Sequence, residues 1–346
     1  MEFTTGGRLA VRITAADVGK RVSVRRLNDS GSSPERFTDA VGVLTSWTGG
    51  VLRITRRSGE IVEIEEGALV AGKVIPAEPA RRRGPAATRR ELQEIAARGW
   101  PARETGRLGG WTLRAAGGFT ARANSVLPLD DCGLPLDAAL DRVTDWYAAR
   151  GLPARVQITT GDPAADERLD AELAGRGWTA ERHALMRTAA LAPIADRYAD
   201  EAPVVLSREP DEAWLAAYGR TGADPADALA VLTGGPSVWF ATVPQAAASE
   251  EPGETATDAR DRPAAIARCV IDGRWAGFAA LDVSPGRRRQ GLGTQVMAAL
   301  ARQALSEGAS AAYLQVETDN DAAAGLYDEL GFTTHHAYHY RREPLR

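Results

Sequence analysis

Between Arg274 and Gly308 the chain reads RWAGFAALDVSPGRRRQGLGTQVMAALARQALSEG. An apolar, strand-like run ends near Val283, a turn follows, and a helix-periodic run starts near Gly293. This strand–turn–helix order points to an α/β fold, and it also sets up a chemistry. The first turn of a helix has N–H groups without an internal partner and carries the positive end of the dipole. Gly291 and Gly293 remove the β-carbons that would hold an anion away. Arg288 opens an Arg-x-x-Gly-x-Gly pattern whose side chains can close over the far side. Such a turn is a cradle suited to a pyrophosphate.

The pattern is short, and arginine is common here: of 42 basic residues only Lys20 and Lys73 are lysines. Its weight comes from its place between a long strand and an amphipathic helix. The 346 residues suit two or three domains, and 44% apolar content lets each bury a core. A net charge of −4 gives no overall signal for nucleic acid or an anionic membrane, although the first 90 residues are basic in balance. Cys132 and Cys269 form no CxxC pair, so neither a disulfide framework nor a metal site is expected, and a cytoplasmic setting fits. No apolar run reaches membrane-spanning length, and the N-terminus lacks a signal peptide's apolar core.

Residues 1–76 read as a small all-β barrel of the SH3-like kind. Its five short strand-like runs are RLAVRIT, RVSVRRL, AVGVLTSW, GVLRITRR and EIVEIEE. Residues 77–87 read as a Pro/Arg/Ala-rich linker. Residues 88–190 mix helix and strand, with a hairpin expected around Gly117–Gly118 and a helix presenting Leu136, Leu140, Val143 and Tyr147 on one face. Residues 203–346 alternate strands and helices, with a primed hairpin turn at Asp272–Gly273 and a disordered acidic insert over 244–263. GWTAERHALMR (177–187) parallels GFTTHHAYHYR (331–341), which suggests two copies of one fold.

VSPGRRRQGLG (283–293) followed by AYLQVETDNDAAAGLYDELGF (312–332) resembles the GNAT superfamily of acetyl-CoA-dependent N-acetyltransferases. Its first signature is a strand, Q/R-x-x-G-x-G/A and a helix. Its second is a strand, an Asn, and a helix bearing Leu-Tyr-x-x-x-Gly-Phe, matched here by Asn320, Leu326, Tyr327, Gly331 and Phe332. The layout is similar to actinobacterial tandem GNAT proteins, some with an SH3-like domain in front, and the barrel argues against a simple mycothiol-synthesising enzyme. The expected fold is thus α/β in class, an α+β GNAT fold in two tandem GNAT-like halves behind the small barrel: a degenerate half at 88–190 and an acetyl-CoA-binding half at 203–346.

The resemblance implies roles. Backbone amides of Arg289, Gln290, Gly291, Leu292, Gly293 and Thr294, with Arg288, would bind the CoA pyrophosphate. The pantetheine arm would pair with the splayed strand end at Leu281, Asp282 and Val283, whose amides would hold the thioester oxygen. Tyr327 would protonate the departing thiolate, although packing beside Leu326 and Leu330 explains it equally simply. Asn320 would touch CoA, or would only cap a helix in TDND, where Thr318 and Asp321 stand at capping-box spacing. Glu317 and Asp282 are the candidates for the base, Glu317 the preferred one. In HHAYHY, alternation puts His336, Tyr338 and Tyr340 on one face, which suits strand packing or a substrate-site wall better than a metal cluster. The first half has Leu173 where Tyr327 stands and Asp166 where Asn320 stands, so it is expected to be inert.

The leading expectation is acetyl transfer from acetyl-CoA to a primary amine. A non-catalytic acyl-CoA sensor whose barrel meets a protein partner is the alternative. A nucleic-acid role led by the basic barrel is disfavoured, because Phe3, Phe37 and Trp47 are its only large aromatics.

Overall fold

The computed structural model describes residues 11–27, 37–56, 60–75, 86–160, 166–197, 204–220, 224–245 and 262–344. The chain divides into two compact units, residues 1–83 and 84–346.

The first unit is an antiparallel five-stranded sheet of β1 (Arg21–Leu27), β2 (Phe37–Thr48), β3 (Val51–Thr55), β4 (Ile61–Glu65) and β5 (Leu69–Val74), in the order β4-β3-β2-β1-β5. Period-two alternation makes one face apolar: Val22, Val24, Leu44, Leu52, Ile54 and Ile64 are all buried. Gly49 and Gly50, both at positive φ, turn β2 into β3 without steric cost. One expected strand is corrected. In the described part of RLAVRIT, Val11 makes only a single bridge to Gly72, and the fifth strand is β5 instead. Gly72 is open enough for Ile13 to pack on it, since a Cβ there would lie 2.8 Å from Ile13 Cγ1. Ala71 and Gly72 gave β5 a weak strand signal.

The second unit opens with α1 (Arg89–Gly99), whose capping box joins Thr88 to Glu91. A small sheet follows, β6 (Glu104–Leu108), β7 (Trp111–Ala115) and β8 (Leu127–Pro128). The tight turn lies at Gly109–Gly110 rather than at the expected Gly117–Gly118. Those two glycines begin a loop from β7 to β8 that Asn124 ties down: its Oδ1 accepts from the Ala116 and Gly118 amides, and its Nδ2 donates to the Phe119 and Thr120 carbonyls. Next come α2 (Leu136–Ala148) and β9 (Arg155–Thr159). After them are α3 (Asp166–Gly175), β10 (Thr179–Ala190) and the one-turn α4 (Ala192–Ala195). Leu140, Val143 and Tyr147 of α2 are buried as the periodicity predicts.

The remaining elements are β11 (Val205–Ser207), α5 (Glu212–Tyr218), α6 (Pro225–Thr233), β12 (Ser237–Val243), β13 (Ala265–Asp272) and β14 (Trp275–Val283). Then come α7 (Leu292–Ser306), β15 (Ala311–Glu317), α8 (Asp321–Glu329) and β16 (Thr333–Arg342). Gly273, at φ 56°, makes the β13–β14 turn. α7 buries Leu292, Val296, Met297, Leu300 and Ala304 against the sheet, with Phe278, Leu314 and Phe332 in the same core. Most of the expected linker, and of the acidic insert over 244–263, falls outside the described residues.

Eight strands form one sheet in the order β11-β12-β13-β14-β15-β10-β16-β9. The repeats β9-α3-β10 and β15-α8-β16 exchange their last strands. β10 pairs with β15 along Ala184–Ala190, β16 pairs with β9, and β10 and β16 pair with each other. The segments expected as separate halves, 88–190 and 203–346, are therefore stitched into one sheet. A buried polar chain crosses the same seam. Arg114 donates to Gln157 at 2.9 Å, Gln157 to Gln93 at 2.7 Å, and Gln93 to His336 Nε2 at 2.7 Å. Leu173 lies fully buried in the core of the first repeat.

Among the described residues no helix is long and apolar enough to cross a membrane, and none is in a metal-binding group of three or more His, Cys, Asp or Glu. Cys132 and Cys269 are both free and buried.

Candidate active site

β14 and β15 run parallel and paired from Trp275–Ala311 to Phe278–Leu314, and beyond that they are no longer paired. A bulge in β14 lies at the point of divergence. The register with β13 slips between Ile266 and Arg268, and Ala280 sits at φ 53°. Such a bulge adds a residue to one strand and bends it. The ends that no longer pair with each other, Ala279–Val283 and Gln315–Glu317, form the mouth of a V in the sheet.

Beyond that mouth the chain passes through a 3-10 turn (Pro285–Arg287) into α7. Arg289 (φ 63°) and Gly291 (φ 77°) both adopt left-handed backbone, and Gly291 is the N-cap of α7 with no side-chain cap. Among the described residues, no hydrogen bond uses the backbone N–H of any residue from 289 to 294 as donor. A row of unpartnered amides at the start of a 15-residue helix is the feature that binds anions. Gly293 has a second reason to be glycine: a Cβ there would meet Leu326 Cδ2 at 3.0 Å. Arg288 Nε donates to the Val283 carbonyl at 3.2 Å, and Arg287 Nε to Gln290 Oε1 at 2.9 Å, so these side chains brace the turn. Leu292 is buried beneath it.

The V opens into a cleft of about 330 Å³. Of the expected site residues, Leu281, Glu317, Asn320 and Tyr327 line it. Asp282 and Val283 do not; the Asp282 carboxylate points to Arg262, 3.8 Å away. Tyr327 packs edge-on to Phe332 at 5.9 Å, and no described group hydrogen-bonds its hydroxyl. Burial pushes its phenol up to about 12. Asn320 is the N-cap of α8, its Oδ1 accepting from Ala323 N at 3.2 Å, so the expected Thr318–Asp321 box is replaced by a cap two residues on. Thr318 instead donates to the His183 carbonyl. Glu317 stands 3.7 Å from Arg182, a residue also at positive φ.

The other wall comes from the 88–190 segment, from α5 and the residues just after it, and from β16. Trp100, Arg122, Tyr218 and Arg220 face the cleft, as do Tyr338 and Tyr340. Tyr338 and Tyr340 lie on the face their alternation assigned. Arg122 and Trp100 carry no signature; Arg122 is held here by its bond to Gln315 of β15 and by the Trp100 ring beneath it.

An eight-stranded α/β sheet with a splayed strand pair, an amide-rich turn at its mouth and a tyrosine beside it defines a GNAT-type N-acetyltransferase. Residues 86–341 match the family model described as "Probable histone acetyltransferase Rv0428c C-terminal", and residues 16–73 match the "Rv0428c N-terminal Sm-like domain". The chain belongs to this acetyltransferase family, and its small all-β first unit is of the Sm-like kind.

Two relatives are each 30% identical. The probable histone acetyltransferase Rv0428c of Mycobacterium tuberculosis aligns over 327 residues, 93% of this chain and 94% of the relative. The uncharacterized N-acetyltransferase YobR of Bacillus subtilis aligns over 267 residues, 73% of this chain and 97% of the relative. A GCN5-related N-acetyltransferase from Kribbella flavida shares the fold, with a TM-score of 0.53 at 16% identity over 74% of this chain and 96% of that one.

Proposed function

We propose that the protein transfers an acetyl group from acetyl-CoA to a primary amine at the mouth of the β14–β15 V. The observation that carries this is the adjacency of three features: unpartnered amides 289–294, strands that part beside them, and a tyrosine lining the cleft so formed. The diphosphate sits on the amides of Arg289 to Thr294, near Arg288. The pantetheine arm lies along the free edge of Leu281–Val283 as an added strand. The acceptor amine attacks the thioester carbonyl carbon, so a C–N bond forms as the C–S bond breaks. Tyr327 gives its proton to the departing thiolate. A phenol held near 12 stays protonated at neutral pH, so it enters the step carrying the proton it gives. Glu317, at the cleft rim, takes the proton lost by the amine, directly or through water. Asp282, turned to Arg262, is the weaker candidate. Asn320, with Oδ1 engaged in the cap, has its amide nitrogen left for CoA. Residues 88–190 and 203–346 are two copies of one fold in this reading, the first without an Arg-x-x-Gly-x-Gly turn.

The test is thiol release from acetyl-CoA by the purified chain across a panel of amines. Amine-dependent release is expected, and Tyr327→Phe should lower kcat by about 10²–10⁴ with little change in the KM for acetyl-CoA. Acetyl-CoA binding with no release from any amine would favour the sensor.

A further inference from the structure

The cleft's charge goes beyond what amine acetylation requires. Its described lining holds three guanidiniums, those of Arg122, Arg182 and Arg220, against one carboxylate, Glu317. Glu317 is already paired with Arg182. Arg122 lies over the Trp100 ring, 4.6 Å from its centroid, and gives one Nη1 bond of 2.8 Å to Gln315. Its other N–H groups have no described acceptor. Arg220 makes no hydrogen bond or ion pair with any described residue. Behind the tyrosine wall, buried Arg114 also lacks a carboxylate: it is held by the Ser125 carbonyl, Ser125 Oγ and Gln157 Oε1. Tyr340, 3% exposed, lines the cleft beside Tyr338 with a buried hydroxyl for which no well-formed hydrogen bond is found among the described residues. A buried polar atom left unmatched is costly unless a ligand completes it.

We propose that the acceptor is a small amine that also carries an anionic group, a carboxylate or a phosphate, held by Arg122 and Arg220 with the Tyr340 hydroxyl. The inference rests on the acetyl-transfer reading and names its substrate class. A polycationic acceptor would meet the positive field of this cleft at close range, whereas an anion beyond the amine offsets it. The cleft volume is at the small end for ligand sites, as a small acceptor requires.

The test compares thiol release by the full chain on matched amines: γ-aminobutyrate against butylamine, and O-phosphoethanolamine against ethanolamine. Spermine and a lysine-rich basic peptide are run beside them. We expect kcat/KM at least about tenfold higher for the anionic member of a pair, the scale of one charge-assisted hydrogen bond. The pair that shows it tells carboxylate from phosphate. Arg122→Gln, and separately the exposed Arg220→Gln, should shrink that preference while leaving the KM for acetyl-CoA unchanged. Preference for spermine, the peptide or the neutral amines overturns the inference, as does a preference that survives both variants. If no amine is turned over, calorimetry on the CoA-saturated chain decides, and no binding of either anionic amine overturns it. Failure of acetyl-CoA itself to bind overturns the acetyl-transfer reading instead.

Discussion

His336 shows how one side chain records the architecture. Its Nε2 accepts from Gln93, and its Nδ1 lies 2.8 Å from Nδ1 of His335, whose Nε2 is 3.0 Å from the Ala87 carbonyl. Arg114 begins this line of donors, and each later donor points the same way only while both rings are neutral. Burial, with His335 and Arg89 nearby, pulls the His336 ring down to about 3 from 6.5. Between those values the unfolded chain binds a proton that the folded chain refuses. Stability present above pH 6.5 is therefore lost as pH falls towards 3, by up to about 1.4 kcal/mol per pH unit. Denaturant titrations at several pH values should show a steeper slope in the wild type than in His336→Gln, where His339, also lowered by burial, still contributes. Identical pH profiles would remove the assignment. The strand alternation placed His336 with Tyr338 and Tyr340, but nothing in HHAYHY revealed Gln93 as its partner, 243 positions away. Asn320 was ambiguous in sequence for a local reason, because a cap and a ligand contact ask for the same side chain.

At the scale of elements, the start of α7 was legible because all its determinants are local: a strand period, two glycines and a helical period within 35 residues. The bulge that opens the V was not legible. Ala280 adopts left-handed backbone without the glycine or asparagine that marks such positions. β5 was missed and RLAVRIT overvalued for the converse reason, since strand propensity measures fit to a pleated surface and not whether a partner edge is free. Gly291 supplies the element-scale prediction. Alanine at φ 77° costs about 1–2 kcal/mol, so Gly291→Ala should distort the turn and weaken CoA binding about tenfold. The core around α7 has no stake in that position, where a Cβ meets nothing within 4 Å. Calorimetry and a thermal melt together check this: lost affinity with a near-native melt is expected, and unchanged affinity would show that the turn does not hold the coenzyme.

For the whole molecule, the faint repeat between GWTAERHALMR and GFTTHHAYHYR signalled two related segments but not that their last strands trade places. Strand exchange depends on pairings far apart in sequence, which no local pattern encodes. It also brings Arg182 and Ala184 of β10 into the cleft wall beside β15. Residues 203–346 alone would leave β15 without its β10 neighbour and β16 without β9 and β10. That fragment is expected to be aggregated or unfolded by circular dichroism and gel filtration, while 84–346 should fold, and a monomeric, cooperatively melting 203–346 would contradict the exchange. The central claim is that the amides of residues 289–294 hold a diphosphate beside the parted strands. Calorimetric titration of the full chain with coenzyme A, and in parallel with pantetheine, which has the same arm but lacks the diphosphate and the phosphorylated adenosine beyond it, checks it. Coenzyme A should bind saturably and pantetheine at least about 100-fold more weakly; equal affinity for the two, or no heat from coenzyme A, would contradict a diphosphate held at residues 289–294.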